Sequence, residues 1–286
     1  MLSALFRYAV IIVGLVAAGV IGGQAAAATW SVRGMSAPLV LASERPFVAL
    51  VSVFAAMVAI GVVGGIAGRL SNAAVGMFVA GAGVAALAMR TGTIMDVVFG
   101  ATALNRIGAE TILWGAVTIV MAMVVFRIAG PLQDMRPEDP RGTIGPWHGA
   151  FTRPAWAGLV TGAIAILACW FMLRTDMKGQ AIAGAVLGGM LCGLLGRLWH
   201  PHVQPVLLFG APSLALGIAQ FVATGAVKGP ADSSFVTGQL PRLLGAMPLD
   251  IAGGGAMGVA MGLGWAKSFL HVAEPATSEG TVPTSG

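Results

Sequence analysis

Charge is what this chain has least of. Only 9% of its 286 residues are Asp, Glu, Lys or Arg, while 57% are hydrophobic and the mean hydropathy is +0.88. Soluble domains carry about 25% charged residues. So few charges do not cover a water-facing surface, and lipid must be the solvent for much of the chain. Cysteine is scarce as well. Cys169 and Cys192 both fall inside apolar runs. Two thiols make neither a disulfide framework nor a zinc site, and these two read as small buried hydrophobes. The 16 basic residues leave a net charge of +5. They are scattered one or two to a loop, without a cluster or interleaved aromatics, so nucleic acid is not an expected partner. A Walker loop, a dinucleotide fingerprint, a zincin motif and a nucleophile elbow are all missing. Gly253-Gly254-Gly255 follows no strand and is not a phosphate loop. No motif fixes a reaction, and neither an enzyme, a metal nor a cofactor is expected.

What is present is a series of long apolar runs. A helix needs about 20 mainly apolar residues to cross the roughly 30 Å hydrocarbon core, and barrel strands would be short and alternating. The fold class is therefore all-α, a polytopic transmembrane bundle. Eight spans are expected, near residues 8–29, 47–67, 73–89, 111–128, 155–173, 179–195, 206–222 and 251–270. Trp30, Trp114, Trp156 and Trp199 fall near span ends, where an apolar ring with a polar N–H suits the interface. Pro212 lies inside the seventh span and is expected to kink it.

The chain repeats itself weakly. Gly65-Ile66-Ala67-Gly68-Arg69-Leu70 is matched by Gly193-Leu194-Leu195-Gly196-Arg197-Leu198, Gly14-Leu15-Val16 by Gly158-Leu159-Val160, and Leu104–Ala109 by Leu240–Ala246. The order is preserved, which suggests two four-span halves in parallel orientation. The expected division is a first half at 1–130, a polar connector at 131–154 with Asp134, Arg136, Glu138, Asp139 and Arg141, a second half at 155–271, and a disordered tail at 272–286. Arg7 followed by an apolar core and an Ala-rich stretch also resembles a cleavable signal peptide. The duplication favours a retained first helix. With eight spans, eight Lys and Arg lie on each side, so the positive-inside rule sets no orientation. Both termini are placed in the cytoplasm, because the basic connector then lies inside, and the membrane is taken as a bacterial-type inner membrane.

Glycine is abundant, at 42 residues, and recurs four apart in Gly61/Gly65, Gly64/Gly68, Gly184/Gly188, Gly189/Gly193 and Gly254/Gly258/Gly262. Glycine grooves let helix backbones approach closely. The second, sixth and eighth spans should therefore be buried, and partners beyond the bilayer would be membrane proteins or a second copy. Ionisable groups near spans are the functional candidates. Arg69 and Arg197 close matched spans and suit an anionic headgroup or substrate, against the plainer role of interface charges. Asp96, Arg106 and Glu110 lie in a semi-apolar segment before the fourth span, and Arg242 and Asp250 lie in its counterpart before the eighth. Arg106 with Glu110, and Arg242 with Asp250, would form ion sites beside a central cavity, or simply helix-starting acids with nearby arginines. His200 and His202 flank a proline but have no third metal ligand near them. The ranking is a permease-like protein for a small solute, ion or lipid first, a non-catalytic scaffold or subunit second, and a membrane enzyme a distant third.

Overall fold

A computed structural model describes residues 2–100, 102–132, 145, 147 and 149–270. The expected connector charges at 134–141 and the expected tail at 272–286 lie outside the described residues. Those described form an all-helical bundle, with one isolated bridge between Trp30 and Ser36.

The elements are α1 (Leu2–Ala25), α2 (Pro46–Leu70), α3 (Ala73–Ala88), α4 (Ile94–Phe99), α5 (Asn105–Ala129), α6 (Arg153–Gly158), α7 (Ala163–Met172), α8 (Lys178–Trp199), α9 (Ala211–Thr224), α10 (Ala231–Val236) and α11 (Pro248–Leu270). Local chemistry sets several boundaries. Pro46 opens α2, where its missing N–H costs nothing. Asn72 caps α3 by accepting from the Val75 amide at 2.9 Å. α5 stops at Gly130, whose φ of 86° a side chain rarely adopts. A 3-10 turn, Leu159–Gly162, joins α6 to α7 in a single 20-residue run.

Each of the eight expected spans overlaps a helix, the fifth and seventh with a 3-10 turn inside their bounds. Among the described residues, six helical runs are long and apolar enough to cross a membrane: Leu5–Ala28, Pro46–Leu70, Asn105–Ala129, Arg153–Met172, Lys178–Trp199 and Leu207–Thr224. The other two expected spans fall short of that measure. α3 has 16 residues, and six glycines with Asp250 and Lys267 dilute the apolar content of α11. Both bury most of their residues. A helix screened from lipid by its neighbours needs no apolar outer face.

α11 runs through the middle of the molecule, packing first on α8, then on α3, with α5 and α9 beside it. Its contact with α8 is nearly backbone on backbone. A Cβ added at Gly254 would lie 2.7 Å from the Ile182 carbonyl oxygen. One at Gly258 or Gly262 would meet the Val186 or Met190 carbonyl. Gly64 and Gly76 make a similar crossing between α2 and α3. The glycine spacing thus marks real helix seams. The outer surface carries the large apolar side chains, among them Val13 on α1, Phe54 on α2, Leu167 on α7 and Phe221 on α9.

Pro212 does not kink a span. A 3-10 turn at Leu207–Phe209 precedes α9, and Pro212 sits in the first turn of that helix. There the chain has already broken its regular hydrogen bonding, and the pyrrolidine ring meets no carbonyl one turn earlier.

Candidate functional site

One end of the bundle carries a folded cap. The loops after α1 and α3 and the segment between α9 and α11 meet there in an apolar cluster of Leu39, Ile94, Val97, Ile107, Leu244 and Met247. α4 touches α10 through the edge-to-face pair Phe99–Phe235, with centroids 5.9 Å apart. Two acids lie beneath this cap, each only 1% exposed: Glu110 and Asp250.

Glu110 lies near the start of α5 and is held by donors alone. Its Oε1 accepts from the Val40 amide at 2.7 Å and from Trp114 Nε1 at 3.1 Å, and its Oε2 accepts from the Leu41 amide at 3.3 Å. Val40 and Leu41 begin a 3-10 turn that has no side-chain cap of its own. The carboxylate supplies that cap from another helix, answering amides that would otherwise be orphaned. Trp114 is correspondingly wholly buried. The expectation that it sits at the interface is corrected: its N–H finds the carboxylate one turn earlier rather than water. Trp30, Trp156 and Trp199 are each about half exposed (51%, 54% and 56%).

Asp250 is the third residue of α11. Its Oδ2 accepts from the Met247 amide at 3.0 Å, capping its own helix, and its Oδ1 accepts from Lys178 Nζ at 2.9 Å. Lys178 opens α8, is 10% exposed, and also donates to Thr91 Oγ1 at 3.0 Å, just beyond α3. One ammonium group thus ties together α8, α11 and the turn that follows α3. Among the described residues this is the single salt bridge. A third buried polar group lies close by in sequence. Thr111 donates to Gln220 Oε1 at 2.7 Å, and Gln220 Nε2 donates to the carbonyls of Leu243 and Ala246 at 2.9 and 2.8 Å.

The expected arginine partners are elsewhere. Arg106 is exposed and forms no ion pair with Glu110. Arg242 is exposed, and its guanidinium lies 5.7 Å from the Trp170 ring centre. Asp96 is half-buried and forms a capping box with Thr93 at the start of α4, accepting from the Thr93 amide at 2.7 Å. At the opposite end, Arg69 is exposed and donates to the Ile128 carbonyl, whereas Arg197 is 4% exposed and donates to the Val203 carbonyl at 3.3 Å. The two matched arginines therefore have different surroundings. Lys178, Thr91 and Gln220 are not among the candidates that the sequence singles out. Gln220 did carry a signal, since an amide within an apolar run needs a buried partner. Lys178 carried little, because it looks like any basic residue at a span start.

Among the described residues, clefts open at the cap end. One of about 720 Å³ is lined by Gln24, Trp30 and Arg90, one of about 370 Å³ by Arg174, Asp176 and Arg242, and one of about 150 Å³ by Arg33 and Asp96. Each offers a guanidinium to a small anion. Among the described residues, no group of three His, Cys, Asp or Glu side chains could hold a metal. Compared with known protein families, curated proteins and solved structures, the chain matches none.

Proposed function

We propose that the chain is an eight-span inner-membrane protein, made of two parallel four-helix halves, that acts as a permease-like protein for a small solute. The observation that carries this reading is the buried Lys178–Asp250 pair at the junction of the halves. Two charges taken from water repay their desolvation only with good geometry, and intramembrane ion pairs commonly belong to solute or ion paths. The pair lies under a cap whose clefts present Arg33, Arg90, Arg174 and Arg242, so a small anion is the favoured solute class. The glycine seams along α11 close the middle of the bundle. Seams without interlocking side chains also suit sliding of one helix past another. Helix packing supports the duplication: α3 lies on α11 as α9 lies on α5, and α4 meets α10. By the same reading both termini are cytoplasmic.

The test is flux into liposomes bearing the purified protein, with a panel of small anions, cations and neutral solutes. Flux of an anion is expected, and Lys178→Met, compared at equal amounts of folded protein, should lower it by about tenfold or more, the effect of about 1.4 kcal/mol on a barrier. The exposed Lys228→Met should leave it unchanged. A second reading, a structural subunit of a membrane complex, is favoured by the dense Gly/Ala packing around α11. A panel without any flux, together with a stoichiometric partner retained in mild detergent, would establish that reading instead.

A further inference from the structure

At the end opposite the cap, the turn after α8 closes over a small socket beside Arg197, His200 and Gln204, floored by Leu208 and flanked by Pro154. Gln204 is wholly buried. Its Oε1 faces the Leu132 amide at 3.4 Å. A backbone amide only donates, so the amide group is oriented and Nε2 points the other way. Among the described residues, that Nε2 and the buried Nε2 of His200 have no hydrogen-bond partner. A buried donor left without an acceptor costs about 1–3 kcal/mol, so the Gln204 amide nitrogen calls for an occupant, and the imidazole Nε2 of His200 beside it donates or accepts according to its tautomer. Nε2 of a glutamine can only donate, and Arg197 beside it can only donate. The occupant must therefore accept hydrogen bonds. The free volume, about 10 Å³ measured to the centre of a water-sized sphere, admits about one oxygen atom.

We propose that this socket receives one oxygen of a phosphate group, the rest of which stays outside the mouth. The neighbourhood fits such a ligand. Trp199 stacks on His200 with ring centres 5.1 Å apart, and both Trp199 and Trp156 are about half exposed, which marks the headgroup level of the bilayer. The guanidinium of Arg197 supplies positive charge at the same depth. The matched turn after α2 has no such socket, because Asn72 there is used to cap α3 and Arg69 is exposed. The socket and the Lys178–Asp250 pair lie at opposite ends, so its occupancy does not depend on solute movement.

The phosphate could belong to a lipid headgroup or be free in solution, and the experiment separates the two. Purified protein in detergent is titrated with phosphatidylglycerol in one arm and inorganic phosphate in the other, read by native mass spectrometry and by thermal unfolding. Saturable one-to-one retention of the lipid assigns the site to a headgroup. A rise in unfolding temperature with inorganic phosphate assigns it to the free anion. In either case Gln204→Leu should weaken binding about tenfold, the effect expected for one hydrogen bond to a charged group. Arg69→Ala should not change it. His200→Phe, at a less buried position, gives a second variant should Gln204→Leu fail to fold. Binding of neither ligand to the wild-type protein, or binding indifferent to both socket variants, would overturn the proposal and leave only a trapped water.

Discussion

Lys178 does work that no stretch of nearby sequence announces. It reaches an acid 72 positions away and a threonine 87 positions away, and such spacing has no period to detect. Removing it leaves the almost fully buried Asp250 without its counter-ion, either as a charge in a poor solvent or forced to take up a proton. Lys178→Met should therefore destabilise the protein by about 3–5 kcal/mol, since breaking a buried pair leaves an uncompensated charge. The double variant Lys178→Met with Asp250→Leu should recover most of that loss. Unfolding in mixed micelles with increasing SDS would measure both, and a double variant no better than the single one would mean that the pair is not the source of the effect. Glu110→Gln is a milder change. One acceptor oxygen becomes an NH2 group facing donors, and the expected loss is about 1–3 kcal/mol, with Trp114 fluorescence shifting as its ring loses a charged partner. The acids themselves were legible as unusual. Their partners were not, because Glu110 binds the amides of Val40 and Leu41 and Asp250 the side chain of a distant lysine.

Helices were the most legible elements. Apolar runs, caps and glycine spacing locate them, and the seam between α8 and α11 lies where glycines recur four apart. The errors at this scale have local causes. Pro212 reads as the interior of a span because Leu207–Phe209 is as apolar as α9 itself, and hydropathy does not show that those three residues form a 3-10 turn. The seam makes a sharp prediction. A methyl group at Gly258 has no room, because the Val186 carbonyl and the Met190 amide nitrogen both lie within its reach. Gly258→Ala should push α8 away from α11 and sharply reduce the yield of folded protein in detergent. Gly264→Ala, on the same helix, meets nothing within 4 Å. It should be neutral or stabilising by up to about 1 kcal/mol, through helix propensity alone. Equal behaviour of the two variants in size-exclusion profiles would argue against the backbone contact.

At the scale of the whole molecule, the number of crossings is the property that hydropathy leaves open, because α3 is short and α11 is glycine-rich. The two helices lie in the interior, where length and apolar content are least informative about crossing. Thiol labelling settles the count. Cys169 and Cys192 are both buried, so a membrane-impermeant maleimide should leave the wild-type protein unmodified. If α3 crosses, Leu70→Cys and Met95→Cys lie on opposite faces of the membrane. If α11 crosses, so do Val236→Cys and Ser268→Cys. All four positions are exposed or border exposed turns. Eight crossings require Met95 and Val236 to label from one side and Leu70 and Ser268 from the other. If α3 were merely seated against the bundle, Leu70 and Met95 would label from the same side, and the parallel halves would be lost with it. The labelling pattern therefore tests the duplication directly. Two four-span halves place their matched turns, 71–72 and 200–206, on one face and their acid-bearing helix starts on the other, and no six-span arrangement lacking α3 and α11 does so.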